Sequence, residues 1–198
     1  MNCTALENIG VVVSTLSILF TAIIAFLGLR SWKQEMKGRA DFEVARQIMR
    51  STYRITRELN ASRSPLQTLS FPRDKEINPK DANLYAEQEL YNKLMHPISE
   101  AYIEFESSSL DAQVLWGEEF LELARNLKKC VFDFQLALEE NLENIKYDGE
   151  IFLGNQKLRK ENMNIRFNTS EKNPFTIKID KSVKAIELFI KPKLKTKF

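Results

Sequence analysis

From Asn8 to Leu29 the chain reads NIGVVVSTLSILFTAIIAFLGL, 22 residues without one charged side chain. As an α-helix rising ~1.5 Å per residue, this run reaches ~33 Å, the thickness of a bilayer's hydrocarbon core. Lipid offers no partner to a backbone N–H or C=O, so a lone segment must cross as a helix. A buried core helix and the apolar region of a signal peptide are the competing readings. A signal peptide needs a basic start and a small-residue cleavage site. Here Glu7 precedes the run, and Arg30, Trp32 and Lys33 follow it directly. The expectation is a single membrane span, with residues 1–32 as N-terminus and transmembrane helix and residues 33–198 as one helical domain of ordinary size.

The flanks set the orientation. Arg30, Lys33, Lys37 and Arg39 follow the span against one acid, Glu35, while Glu7 alone precedes it. Lys and Arg stay on the cytoplasmic side, so the C-terminal part is expected in the cytoplasm and the short N-terminus outside, in a bacterial inner membrane. Trp32 falls where an amphipathic aromatic anchors at the headgroups.

One face of the span is small. Gly10, Ser14, Ser17, Thr21, Ala25 and Gly28 follow one another in steps of three and four. At about 100° per residue they share a narrow stripe. Leu16, Phe20, Ile23 and Leu27 lie on the other side. Small residues let helices approach closely and hydroxyls bond between helices, so the stripe is expected to be a seam for homo-oligomers. The plainer alternative is that Ser and Thr bond back to carbonyls of their own helix.

Composition narrows the function classes. With 29 basic and 27 acidic residues the net charge is +2, so no global basic excess calls for nucleic acid. The two cysteines, Cys3 and Cys130, fall on opposite sides of the membrane in this topology, and no CxxC offers a zinc site. His96 is the only histidine, which leaves few routes to a metal centre or a His-activated nucleophile. No phosphate-cradling glycine motif is present. The expectation is a protein without metal or cofactor, leaning away from an enzyme.

After the membrane the periodicity is helical. From Lys33 to Asn60 the positions Phe42, Ala45, Met49, Thr52, Thr56 and Leu59, joined on adjacent flanks by Val44, Ile48 and Ile55, form a core-facing stripe. Arg46, Arg50, Arg54 and Arg57 line the outer side, as a solvated face or as a surface for anionic lipid, a facing acidic helix or RNA phosphate. Residues 61–80 hold three prolines and read as a long connection, tacked down by Leu66, Leu69 and Phe71. A second helix is expected from Asp81, kinked or split at Pro97, with His96 a structural histidine, and broken by Ser107-Ser108-Ser109 before a short helix from Leu110 to Trp116.

Glu118 to Asn144 carries the clearest soluble period, through Phe120, Leu123, Leu127, Cys130, Phe134 and Leu138, which puts Cys130 in the core. Asp148-Gly149 marks a turn. Residues 145–173 read as an irregular connection, with 151–153 and 165–167 as short strands. Asn173-Pro174 opens a last helix through Ile179, Val183, Ile186 and Ile190, followed by a solvated basic tail of Lys191, Lys193, Lys195 and Lys197.

The order of one span, a basic WK segment and then ARQIMRSTYRITREL at 45–59 resembles a group of uncharacterised bacterial single-pass membrane proteins. In that group the helix reads A-R-x-hydrophobic with a later Y-x-x-R; Ala45-Arg46 and Tyr53 match, and Thr56 departs, with Arg54 and Arg57 nearby. The likeness continues through LWGEEFLELARNLKKC (115–130) and AIELFIKPKL (185–194). More distantly, the architecture is similar to the pore-forming membrane accessory proteins of type VI CRISPR systems, whose cytoplasmic part is HEPN-like. That resemblance implies an antiparallel helical bundle, a defence-system partner and a membrane-perturbing role. HEPN nucleases pair an Arg with a His about five positions later. Arg125-Asn126 matches, but Cys130 stands where that His belongs, so nuclease activity is expected to be absent or very weak. The two function classes are therefore a self-associating membrane protein whose helical domain binds a partner, and a membrane-tethered HEPN-type RNase or RNA- or lipid-binding module.

Overall fold

The computed structural model describes residues 3–65, 78–168 and 170–195, with side chains from residue 13 onward except 15, 79, 80 and 195. Five α-helices follow one another: α1 (Cys3–Ser62), α2 (Pro79–Trp116), α3 (Glu118–Lys146), α4 (Gln156–Arg166) and α5 (Pro174–Ile190), then a 3₁₀ turn at Lys193–Lys195. No strand occurs among the described residues. The chain divides into two compact units, one holding Met1–Glu43 and the other Val44–Lys195.

In the first unit the apolar run is helical throughout, and α1 is the one described helix long and apolar enough to cross a membrane. Its apolar window has no buried residue; Leu16, Phe20, Ile23 and Phe26 all stand exposed. A core helix of a soluble domain would hide such a face, and this one does not.

The second unit is a helical domain built around α3, which packs on α2, α5 and α4. One face of α3, through Phe120, Ala124, Leu127, Cys130, Val131, Phe134, Ala137 and Leu138, is buried. The α1 stripe meets the same core through Ala45, Ile48, Ile55 and Leu59, α2 through Leu90, Leu94, Ile98, Ala101 and Phe105, and α5 through Phe175, Ile179, Ile186 and Ile190. Each of these repeats in steps of three, four or seven, the spacing that keeps one side of a helix turned to a core.

Several expectations are corrected. The serine run does not end α2, which continues to Trp116 with Pro97 inside it. Ser108 and Ser109 donate their hydroxyls to the carbonyls of Glu104 and Phe105, at 2.8 and 2.6 Å, so they are satisfied within the helix they were expected to break. His96 is exposed, 3.6 Å from Glu100, and packs into no core. The expected strand at 165–167 falls on the end of α4 and its cap, and 151–153 belongs to a turn. Asn155 caps α4 by accepting from the Leu158 amide at 3.0 Å. The basic tail is not merely solvated: the Lys193 ammonium lies 4.8 Å from the Trp116 ring and 4.5 Å from Phe189. Both rings belong to an aromatic cluster with Phe120.

The Asp148-Gly149 turn is present, with φ of 52° and 90° at those residues. Asn173 caps α5 through Phe175 and Thr176 amides at 2.9 and 3.1 Å, and Pro174 fills the first turn. Leu66, Leu69 and Phe71 lie outside the described residues.

Candidate functional site

Two hydroxyls of the small stripe are satisfied within α1. Ser17 donates to the Val13 carbonyl at 2.8 Å, and Thr21 donates to the Ser17 carbonyl at 2.8 Å. Ser14, Ala25 and Gly28 are exposed, and a methyl group added at Gly28 would meet nothing within 4 Å. Gly10 lies in the helix, before the first described side chain. Because the Ser17 and Thr21 hydrogens are used within the helix, a facing copy would meet these two residues by close packing and by their remaining acceptor capacity.

The arginine row splits. Arg54 pairs with Glu104 and reaches Glu100 at 3.5 Å, both on α2. The Glu104 hydrogen bond holds its guanidinium above the ordinary arginine range. Arg57 donates to Glu58 through Nε and Nη2, at 3.0 and 2.6 Å. Arg46 and Arg50 are exposed. Of the partners considered for the row, Arg54 meets the facing acidic helix, inside its own domain.

Arg125, Asn126 and Cys130 all lie on α3. Arg125 is exposed and pairs with Glu122, with Glu118 3.6 Å away. Asn126 is exposed too. Cys130 is buried, its thiol donating to the Asn126 carbonyl at 3.4 Å, and burial pushes its pKa up. Five helical positions are about 140° apart around the axis, so the guanidinium and the thiol face different surroundings. No cluster of three or more His, Cys, Asp or Glu able to hold a metal ion occurs among the described residues.

The most unusual polar residue is Arg63, placed by the sequence in a loop and found fully buried. Its Nε donates to the Ile165 carbonyl at 2.8 Å, and its Nη1 donates to the Thr176 hydroxyl at 3.0 Å. Nη2 donates to the Asn164 carbonyl at 3.1 Å and the Asn173 side-chain oxygen at 3.2 Å. Its carbon Cζ lies 4.8 Å from the centre of the Phe175 ring. Desolvation lowers its pKa to about 10, which leaves it charged at neutral pH. Asn164 and Ile165 sit in the last turn of α4, whose carbonyls have no helical N–H ahead of them. Arg63 therefore caps α4 from the end of α1 while gripping the residue that caps α5.

Beside this knot, between α3, α4 and the turn joining them, lies a cavity of about 500 Å³. Asn141, Asn144, Arg159, Asn162 and Arg166 line it together with Phe152 and Phe167. Asn162 is almost fully buried and donates both hydrogens of its amide, to the Ala137 carbonyl at 2.8 Å and to Glu140 at 3.0 Å. Its oxygen is left without a partner. Arg166 is buried with Glu87 3.8 Å from its Nη2, and its Nε has no partner. Desolvation lowers the pKa of this guanidinium as well. Sequence reasoning missed Arg63, Asn162 and Arg166. The one legible signal was Asn155 ahead of QKLRKENMNIR, a cap followed by a charged helix.

No family model, curated protein or solved structure matches this chain. Its residues and their geometry carry the functional argument.

Proposed function

We propose that this protein is a single-pass membrane protein whose α1 crosses the bilayer and whose helical domain lies on the cytoplasmic side, working by binding rather than by covalent chemistry. The observation that carries the reading is the helical, unburied apolar run followed by Arg30, Lys33, Lys37 and Arg39. A buried thiol, Cys130, in the place of a proton-transferring imidazole counts against the RNase reading. Copies associate along Gly10, Ser14, Ser17, Thr21, Ala25 and Gly28, and in the sharpest form of the reading the assembled spans perturb the membrane as a defence effector.

The test is topology. Fused at the C-terminus, a reporter active only in the cytoplasm lights up, and alkaline phosphatase, active only outside, stays silent. The protein resists alkaline extraction from membranes. The reverse reporter pattern, or release into the soluble fraction, overturns the proposal.

A further inference from the structure

Where α1 leaves the apolar run, its cations are divided between two sides. At about 100° per residue, Arg30, Lys33 and Lys37 fall within an arc of about 60°, and the small stripe through Ser14, Thr21 and Gly28 lies about 160° round the axis from it. Arg39 falls on the side of the small stripe, where Glu35 pairs with it at 2.6 Å. Arg30, Lys33 and Lys37 are exposed and enter no ion pair among the described residues. We propose that these three side chains bind the headgroup of an anionic phospholipid, whose acyl chains lie along Leu19, Ile23 and Phe26 on the same face of α1.

The order of chemistry along this face is that of a phospholipid molecule. Leu19, Ile23 and Phe26 are exposed and carry the cationic arc on into the uncharged run, so one ligand meets cations and then apolar surface. Arg30 directly follows Leu29, the last residue of that run, and Lys37 stands ~10 Å further along the axis. That rise covers a headgroup layer, and the apolar stems of Lys and Arg lie along apolar surface while their charges stay among the headgroups. The first acid on this side is Asp41, a turn beyond Lys37. A zwitterionic headgroup brings its own cation and leaves the three charges unmatched, whereas an anionic one supplies the missing charge, and Arg30 can grip its phosphate through two N–H groups. An acidic protein or an RNA has no part to lay on Leu19, Ile23 and Phe26. The opposite side suits a different neighbour, because Arg39 is already paired and copies can approach there without mutual repulsion.

This inference rests on the reading of α1 as a membrane span, and the experiment separates the two. Full-length protein is reconstituted in phosphatidylcholine membranes holding a trace of spin-labelled phosphatidylglycerol or spin-labelled phosphatidylcholine. Electron paramagnetic resonance then gives the fraction of each label that is motionally restricted against the protein. Phosphatidylglycerol is restricted in preference to phosphatidylcholine by roughly threefold or more. Replacing Arg30, Lys33 and Lys37 together with Gln removes the preference. Replacing the exposed Lys181, Lys184 and Lys191 of α5 with Gln, the same loss of charge, leaves it in place, as does Glu35→Gln with Arg39→Gln. If the triple α1 variant does not insert, Lys33→Gln alone still decides, since it keeps the other flanking cations and lowers the preference. Equal restriction of the two lipids by the original protein overturns the proposal. So does an unchanged preference in Lys33→Gln, or a loss in the α5 variant as large as that in the α1 variant. No restricted lipid of either kind would overturn the span itself, and this inference with it.

Discussion

Replacing Arg63 with Met tests whether a charged side chain can be the structural link between three helices. The guanidinium makes four hydrogen bonds, to Ile165, Asn164, Asn173 and Thr176. At about 1.5–3 kcal/mol for each bond to a charged group, their gross worth is about 6–12 kcal/mol. Against this stands the desolvation of a buried cation, several kcal/mol. Three of the acceptors keep other partners: Asn173 Nδ2 also donates to the Asn164 carbonyl at 2.9 Å, Asn173 Oδ1 also accepts from the Phe175 amide, and the Thr176 hydroxyl donates to Asn168 Oδ1 at 3.1 Å. The Ile165 carbonyl is the one left short, so the net loss is about 3 kcal/mol. For a domain of this size that is a fall of about 6–12 °C in Tm. The melt is followed by Trp116 fluorescence in a Trp32→Phe background, with the protein in nanodiscs. Arg63→Lys, keeping the charge but losing the planar fork, falls in between. A Met variant as stable as the parent would refute the cap, because the apolar stem would then carry all of Arg63's contribution.

Three further outcomes are expected. In a Cys3→Ser background, Cys130 resists alkylation at pH 8, since burial raises its pKa and keeps it protonated, and it reacts once the domain is unfolded; equal rates in both states would contradict its burial. Arg54→Glu lowers Tm by setting a third carboxylate beside Glu100 and Glu104, and adding Glu104→Arg restores it, whereas Arg50→Glu has little effect; no rescue would mean the pair is incidental. With Cys3 and Cys130 removed, single cysteines at Ser14 and Ser17 crosslink in membranes and those at Leu16 and Ile23 do not, and Ser17→Leu with Thr21→Leu weakens association by ~1 kcal/mol per lost contact. Equal crosslinking all round would leave the span a monomeric anchor.

Where helices bury apolar residues, the sequence was a sufficient guide. The stripes of α3 and α5 and the α1 segment from Ala45 to Leu59 were readable because Phe, Leu, Ile and Val recur at helical spacing and the structure buries them together. The caps and turn at Asn173-Pro174 and Asp148-Gly149 were readable because few residues suit those backbones. The failures share a cause. Helix α4 buries Asn162 and Arg166, so a search for apolar periodicity sees no helix there. The serines of α2 look like breakers because their hydroxyls compete for backbone groups, and here that competition is settled inside the helix, on carbonyls four residues back.

Arginine shows why the polar part of the domain could not be read residue by residue. Arg54, Arg125 and Arg63 have the same chemistry and three different fates. Arg54 answers acids on another helix, Arg125 answers acids on its own, and Arg63 hydrogen-bonds to no carboxylate among the described residues. What selects the last fate is a shortage of donors at the end of α4, about a hundred residues further along the chain, where carbonyls lack helical partners. That shortage exists only after α4 has formed and has brought its C-terminus beside Ser62, so nothing local to Arg63 encodes it. The same reasoning applies to Asn162 and Arg166, with one difference. Arg63 has a partner for every nitrogen, whereas Asn162 Oδ1 and Arg166 Nε are buried without one. A satisfied buried cation is explained by the fold that it caps, whereas the two orphaned atoms are a cost that the packing of α4 on α3 carries.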